Sequence, residues 1–182
     1  MTSPFELQTS RLLLRRLCTA DAPPIYDYRS LPEVARYQSW SSYRLQDAES
    51  LIAQQASVEM NTAGSWLQLA IVECTTGSIA GDCGIHFLAD SPEQVELGIT
   101  LGTSHQGRGV AFEALNCVLD YLFGQLSKHR VTAVVDPENR PAAELFKRLG
   151  FRQEAHQVEN IWFKGAWGSE LTFALLSREW RV

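Results

Sequence analysis

Between Val95 and Ala111 the chain does three things in succession, and together they leave few folds open. Val95, Leu97, Ile99 and Leu101 alternate strictly with less apolar residues, the pattern of a strand with one buried face. Glycines then fall at 102, 107 and 109. From there Val110, Ala111, Ala114, Leu115, Val118, Leu119, Leu122 and Leu126 recur at i, i+3, i+4 spacing, which predicts an amphipathic helix. A glycine turn between a strand end and a helix start presents unpaired N–H groups and a helix dipole, so it favours an anion. Glycine also lets that backbone approach a phosphate closely.

Two familiar phosphate loops are excluded. A P-loop ends in Gly-Lys-Ser/Thr, whereas Gly107 is followed by Arg108 and Gly109. A dinucleotide fingerprint needs a third Gly or Ala where this chain has Phe112. The pattern that remains is Gln-x-x-Gly-x-Ala, met by Gln106, Gly109 and Ala111.

The flanking sequence supplies the rest of a mixed α/β, α+β chain. Strands are predicted at Arg11–Leu17, Trp66–Glu73, Ile79–Phe87, around Val95–Leu101, at Val131–Val135, and in a closing hairpin of Phe151–Phe163 with Glu170–Leu176. A short helix starts at Asp21-Ala22-Pro23-Pro24, and a second runs through Ala48, Leu51, Ile52, Ala56 and Met60. Asn139 caps a further helix that Gly150 ends. The 182 residues read as one domain, 1–182. With 16 basic against 21 acidic residues, net −5, neither nucleic acid nor an anionic membrane is an expected partner. Leu12-Leu13-Leu14 between arginines makes neither a signal peptide nor a span, and four cysteines without C-x-x-C spacing read as reduced thiols. A cytoplasmic protein is expected. His86, His105, His129 and His156 lack metal-ligand spacing, so no metal is expected.

The Gln106–Ala111 loop resembles the acetyl-CoA pyrophosphate loop of the GNAT N-acetyltransferase superfamily. Glu96 before it, the long helix after it, Val131–Val135, Asn139 and Gly150-Phe151 fall in that superfamily's order. Thr9-Ser10-Arg11-Leu12-Leu13-Leu14-Arg15 and Lys164-Gly165-Ala166-Trp167-Gly168 are similar to the RimJ/RimL-like branch. The resemblance implies a mostly antiparallel twisted sheet of about six to seven strands, splayed between its fourth and fifth, with about four helices. It implies an acetyl-CoA-dependent N-acetyltransferase acting on a primary amine of a small molecule or a protein N-terminus by direct attack. A non-catalytic acyl-CoA-binding regulator on the same fold is the alternative. The resemblance also allows a homodimer.

Residue by residue, it makes Glu96 the general base, although on the strand alone Glu96 reads as a solvated carboxylate. At ~3.3 Å per residue Glu96 lies roughly 16 Å along the strand from Leu101, a length that suits a cofactor arm. Gly98 reads as a bulge or a close backbone approach. By the same resemblance the Ile99 N–H is an oxyanion donor, Ile99 and Leu101 contact the cofactor arm, and Gln106, Gly107, Arg108, Gly109, Val110 and Ala111 cradle the pyrophosphate. Asn139 contacts the arm beyond its capping role. Phe146 stands where many members carry a Tyr acid, and Ala142 where the RimL-like branch offers a Ser, so neither acid is available. A thiol of pKa ~8.5 leaves with little help, so the chemistry tolerates the loss. Phe146 is either core or a wall against the cofactor. Tyr37, Trp40, Trp66, His86 and Trp162 form the candidate acceptor group, each also a plausible core residue.

Overall fold

A computed structural model of the chain describes residues 5–181. Its strands are β1 (Glu6–Gln8), β2 (Leu12–Arg16), β3 (Trp66–Glu73), β4 (Ile79–Phe87), β5 (Gln94–Leu101), β6 (Arg130–Val135), β7 (Arg152–Phe163) and β8 (Ala166–Leu176). Its helices are α1 (Ala22–Arg29), α2 (Pro32–Ala35), α3 (Leu45–Gln55), α4 (Val110–Asp120) and α5 (Arg140–Arg148). All eight strands form one sheet in the order β1-β2-β3-β4-β5-β6-β8-β7. Every neighbouring pair is antiparallel except β5 and β6.

The expectation of six to seven strands and four helices falls short by the two shortest elements. β1 has three residues and α2 has four, too few to show a period. The predicted first strand is therefore the second. The second predicted helix ends at Gln55 instead of reaching Met60. Its last side chain turns out to the sheet: Gln55 Nε2 donates to the Trp66 carbonyl at 3.1 Å, and its Oε1 accepts from the Gln68 N–H at 2.8 Å. The closing hairpin turns on Lys164-Gly165, both left-handed (φ 50° and 85°), so β8 starts at Ala166 rather than Glu170. That is the turn geometry that matches strand twist.

Strand alternation sends two sets of side chains to two layers. Leu67, Leu69 and Ile71, with Ile85, Val95 and Leu97, pack under α4 and α5 in the main core. Within α4 the buried stripe is Val110, Ala114, Leu115, Val118 and Leu119, the face predicted from the sequence. On the opposite face, Ala22, Ile25 and Tyr28 of α1 join Val34, Ala48 and Ile52 in a second, smaller core. A buried ion pair fastens that core to the sheet: Arg29 Nη2 donates to Asp82 Oδ1 at 2.7 Å and Nε to Oδ2 at 3.0 Å. Tyr28 and Gln68 also donate to Asp82.

β5 and β6 pair only through Gln94–Arg130, Val95–Val131 and Glu96–Thr132. Beyond Glu96 the two strands part, as the resemblance implied. No helix among the described residues is long and apolar enough to cross a membrane.

Candidate active site

The splay leaves backbone groups of β5 without a strand partner. At one end of β5 the Leu88 N–H donates to the Gln94 carbonyl; past the other, the Gly102 N–H donates to the Ala80 carbonyl. The register between them runs without a shift. Ladder bonds to β4 therefore fall on the even-numbered residues, and the odd-numbered ones turn their N–H and C=O toward β6. The Val95 carbonyl does so, accepting from Thr132 Oγ1 at 3.3 Å. Ile99 lies beyond the last β5–β6 pair, so its backbone groups face the gap. The Leu101 carbonyl is already engaged, accepting from Gln106 Nε2 at 3.1 Å. Of the expected Leu101 contacts, the N–H is the one left for a ligand.

Gly98 carries no bulge, contrary to one of its two expected roles, because Gly84 and Gly98 pair in an unbroken register. A Cβ placed on Gly98 would meet nothing within 4 Å. The absence of a side chain keeps open the space beside the splay, which fits a cofactor arm laid along β5.

At the head of α4, Gly107 and Gly109 are both left-handed, with φ of 70° and 78°. Gly109 is the helix N-cap, and a Cβ on Gly107 would meet no atom within 4 Å. These two residues turn the loop so that the first amides of α4 remain free for an anion. Gln106 spends its side chain tying the loop to the end of β5. Arg108 reaches the Ser104 carbonyl at 3.4 Å and lies 3.7 Å from Glu73, which also sits 3.8 Å from His105. Arg11 pairs with Glu113 at 2.6 Å and donates to the Arg108 carbonyl at 3.3 Å. Sequence reading missed Glu73 and Glu113, the carboxylates that hold these cations beside the loop.

Glu96 sits at the closed end of the splay. Its cross-strand partners form a row: Trp66 opposite His86, His86 opposite Glu96, and Glu96 beside Thr132. Trp66 stacks on His86 with centroids 4.6 Å apart and planes 11° from parallel. His86 Nδ1 lies 3.9 Å from Glu96 Oε2. Burial pushes the Glu96 carboxyl above its ordinary value, His86 draws it back, and Glu170 on β8 pushes it up again. A carboxylate held partly out of water and biased toward accepting a proton is equipped for general-base work. Counting outward from the β4–β5 turn pairs His86 with Glu96, so that contact was available in the sequence. The approach of Glu170 from a distant hairpin was not.

The remaining expected residues divide. Asn139 caps α5, its Oδ1 accepting from the Ala142 N–H at 3.3 Å. Phe146 is core: it is 3% exposed and packs against Phe151 and Phe173 at 5.2 and 6.2 Å. Of the two roles expected for its ring, this burial favours the core over a wall against a cofactor. Trp40 donates to the Arg29 carbonyl at 3.0 Å and covers its guanidinium at 4.6 Å, so it is spent on the ion pair. Tyr37 donates to the Glu138 carbonyl at 3.3 Å, and Trp162 packs on Trp167 at 5.4 Å. None of these contacts reaches Glu96. Of the acceptor group, His86 adjoins it, and Trp66 stacks on the far side of His86. Among the described residues, no three His, Cys, Asp or Glu gather as a metal site.

The site is thus a mixed sheet splayed beside a loop of free amides, with a carboxylate at the root of the splay. The comparisons place it: the acetyltransferase (GNAT) domain pattern matches residues 11–152, and the chain belongs to that family of acyltransferases. It is 31% identical over 175 residues to the uncharacterized N-acetyltransferase p20 of Bacillus licheniformis, covering 96% of this chain and 97% of that one. Over 84 residues it is 32% identical to the [ribosomal protein uS5]-alanine N-acetyltransferase of Escherichia coli, 46% of this chain and 43% of the relative. In three dimensions it resembles the spermidine N-acetyltransferase of Vibrio cholerae solved with CoA and spermine. That match has a TM-score of 0.79 at 23% identity, over 94% of this chain and 98% of the other.

Proposed function

We propose that the protein moves an acetyl group from acetyl-CoA to a primary amine, on a small molecule or a protein N-terminus, by direct attack in a ternary complex. The whole chain acts as one domain in this reading. The observation that carries it is Glu96, raised toward proton acceptance at the point where β5 and β6 part. The relatives' names support the acceptor class, since they specify an alanine of a ribosomal protein and spermidine.

The residues divide the work. The amides of Gly107–Ala111 hold the pyrophosphate, with Arg11 and Arg108 adding positive charge. The arm lies along Gly98, bonded by the outward backbone groups of Ile99 and the Leu101 N–H. Glu96 takes a proton from the amine, directly or through water, and the Ile99 N–H supports the developing oxyanion. Asn139, half-exposed at the start of α5, contacts the arm near sulfur. The thiolate leaves without a side-chain acid. Acetyl-CoA supplies the activated acyl group.

The deciding experiment is release of free thiol from acetyl-CoA with a panel of alkylamines, polyamines and peptides with free N-termini. Amine-dependent release with an acetylated amine product is expected. Saturable acetyl-CoA binding without release from any amine would leave a non-catalytic acyl-CoA-binding protein.

A further inference from the structure

Among the described residues one buried side-chain nitrogen or oxygen has no hydrogen-bond partner, and it is His86 Nδ1. Buried polar atoms are nearly always satisfied. This nitrogen has no surface, so it is closed to solvent and to substrate alike. Whatever satisfies it must be a neighbouring protein group. The carboxylate facing it is that of Glu96, with Oε2 at 3.9 Å. That is about 1 Å beyond hydrogen-bond length.

The two sides of this gap are not equally free. Trp66 lies flat on the imidazole, with centroids 4.6 Å apart and planes 11° from parallel, and fixes the ring's plane. His86 stands directly opposite Glu96 across β4 and β5, and the Glu96 side chain is 31% exposed. The carboxylate, not the ring, is the part that can turn to close the gap. A carboxylate beside a ring nitrogen also selects the tautomer with its hydrogen on that nitrogen. His86 then meets Glu96 with an Nδ1–H donor.

We infer that His86 is a positioning residue for Glu96: its Nδ1–H takes Oε2 as the carboxylate turns, leaving Oε1 aimed at the acceptor amine. This rests on the acetyl-transfer reading above. His86 touches no substrate and keeps its own proton throughout; Glu96 takes the proton of the amine on Oε1. The bond fixes one oxygen of a side chain that is otherwise free to rotate. It also favours the ionised carboxylate, the form that can accept a proton. The other surroundings of Glu96 work against that form. Burial pushes the carboxyl toward its protonated state, His86 opposes the push, and Glu170 of β8 adds to it. The further neighbours in the row, Thr132 of β6 and Trp66 of β3, carry no charge. Of the groups facing Glu96, His86 is thus the one that keeps it a base.

The test follows the Glu96 carboxyl itself by carboxyl-carbon NMR, assigned by its absence in E96Q, beside thiol release across pH. The chains compared are the full chain, H86F, H86Q and H86N. H86F keeps an aromatic face for Trp66 and removes the donor. H86Q places an amide N–H where Nε2 stood, and H86N places one where Nδ1 stood. H86F and H86Q should each raise the carboxyl's titration by roughly one pH unit, the acid limb of kcat/KM moving with it. The KM for acetyl-CoA should stay unchanged. H86N should return both the titration and the limb toward the parent. In an E96Q background, H86F should cost nothing further. An unmoved titration in H86F and H86Q overturns the proposal, and so does an H86N that behaves as they do. A uniform loss of kcat/KM with the acid limb fixed also overturns it, since that is a packing defect. A parent chain that releases no thiol with any amine overturns the proposed function instead. The carboxyl titration then still decides whether His86 holds Glu96, and only the catalytic purpose of that hold falls.

Discussion

At the scale of single residues, Glu96 and Phe146 show how burial decides a role. Glu96 is ordinary in sequence and became a candidate base only through the resemblance; the structure adds its partly desolvated carboxyl. Glu96→Gln should lower kcat/KM by roughly 10²-fold at neutral pH, with the deficit shrinking as pH approaches the amine pKa of about 10.4. Its effect on stability should run the other way. The folded carboxyl titrates above its ordinary 4.5, so ionisation costs more in the folded than in the unfolded state. That penalty is absent below the ordinary value and grows as pH rises through the window up to the raised one. Melts of Glu96→Gln should therefore match the parent in acid and equal or exceed it at pH ~7. A Tm below the parent's at neutral pH would show that Glu96 is structural. Phe146 makes the opposite case. A hydroxyl added by Phe146→Tyr would sit among Phe151 and Phe173 without a partner and cost about 1–3 kcal/mol. Thermal melts alongside steady-state rates should show that loss with no gain in turnover.

Among the elements, periodicity and turn chemistry decided what the sequence made legible. β5, α4 and α5 have both: β5 and α5 lie where the pattern put them, and α4 starts there but ends at Asp120, the predicted run to Leu126 continuing as a π-helical turn over Tyr121–Gln125. β1 and α2 are too short for either, and α3 ends early because Gln55 finds two backbone partners on β3 that no local pattern reveals. Likewise the glycine loop was readable and its bracing was not, since Arg11–Glu113 spans 102 residues. The loop carries its own prediction. Gly109 has a φ of 78°, and its missing Cβ would lie 3.5 Å from Arg11 Nη2. Gly109→Asp would add strain of roughly 1–2 kcal/mol, repel a pyrophosphate, and draw Arg11 away from it. Calorimetry with CoA should show affinity reduced more than tenfold in a chain that still melts cooperatively. Unchanged affinity would remove the loop from the cofactor site.

For the whole molecule, the consequential feature is that two cores meet across one sheet through a buried ion pair. Arg29 and Asp82 side chains are 8% and 1% exposed, and the guanidinium pKa is raised, desolvation being outweighed by the carboxylate. Nothing in the sequence paired residues 53 apart, and Trp40, expected among the acceptor residues, instead roofs this pair. A buried pair adds little net stability compared with an apolar replacement, yet breaking it strands a charge. Asp82→Ala should therefore cost about 3–5 kcal/mol, while joint replacement by Arg29→Met and Asp82→Leu should recover much of it. Recovery should remain incomplete, because Tyr28 and Gln68 also lose their acceptor. The pair is the main polar anchor of α1–α3, so hydrogen exchange in Asp82→Ala should accelerate there before the sheet over α4 and α5 responds. The face that α1–α3 cover also carries Trp66, His86 and Glu96, whereas the α4 loop belongs to the other core. Weakening the anchor should accordingly raise the KM for the amine and spare that for acetyl-CoA. Acceleration spread evenly over both cores, or a loss of acetyl-CoA affinity first, would mean that the two layers unfold as one and that the ion pair does not govern the acceptor side.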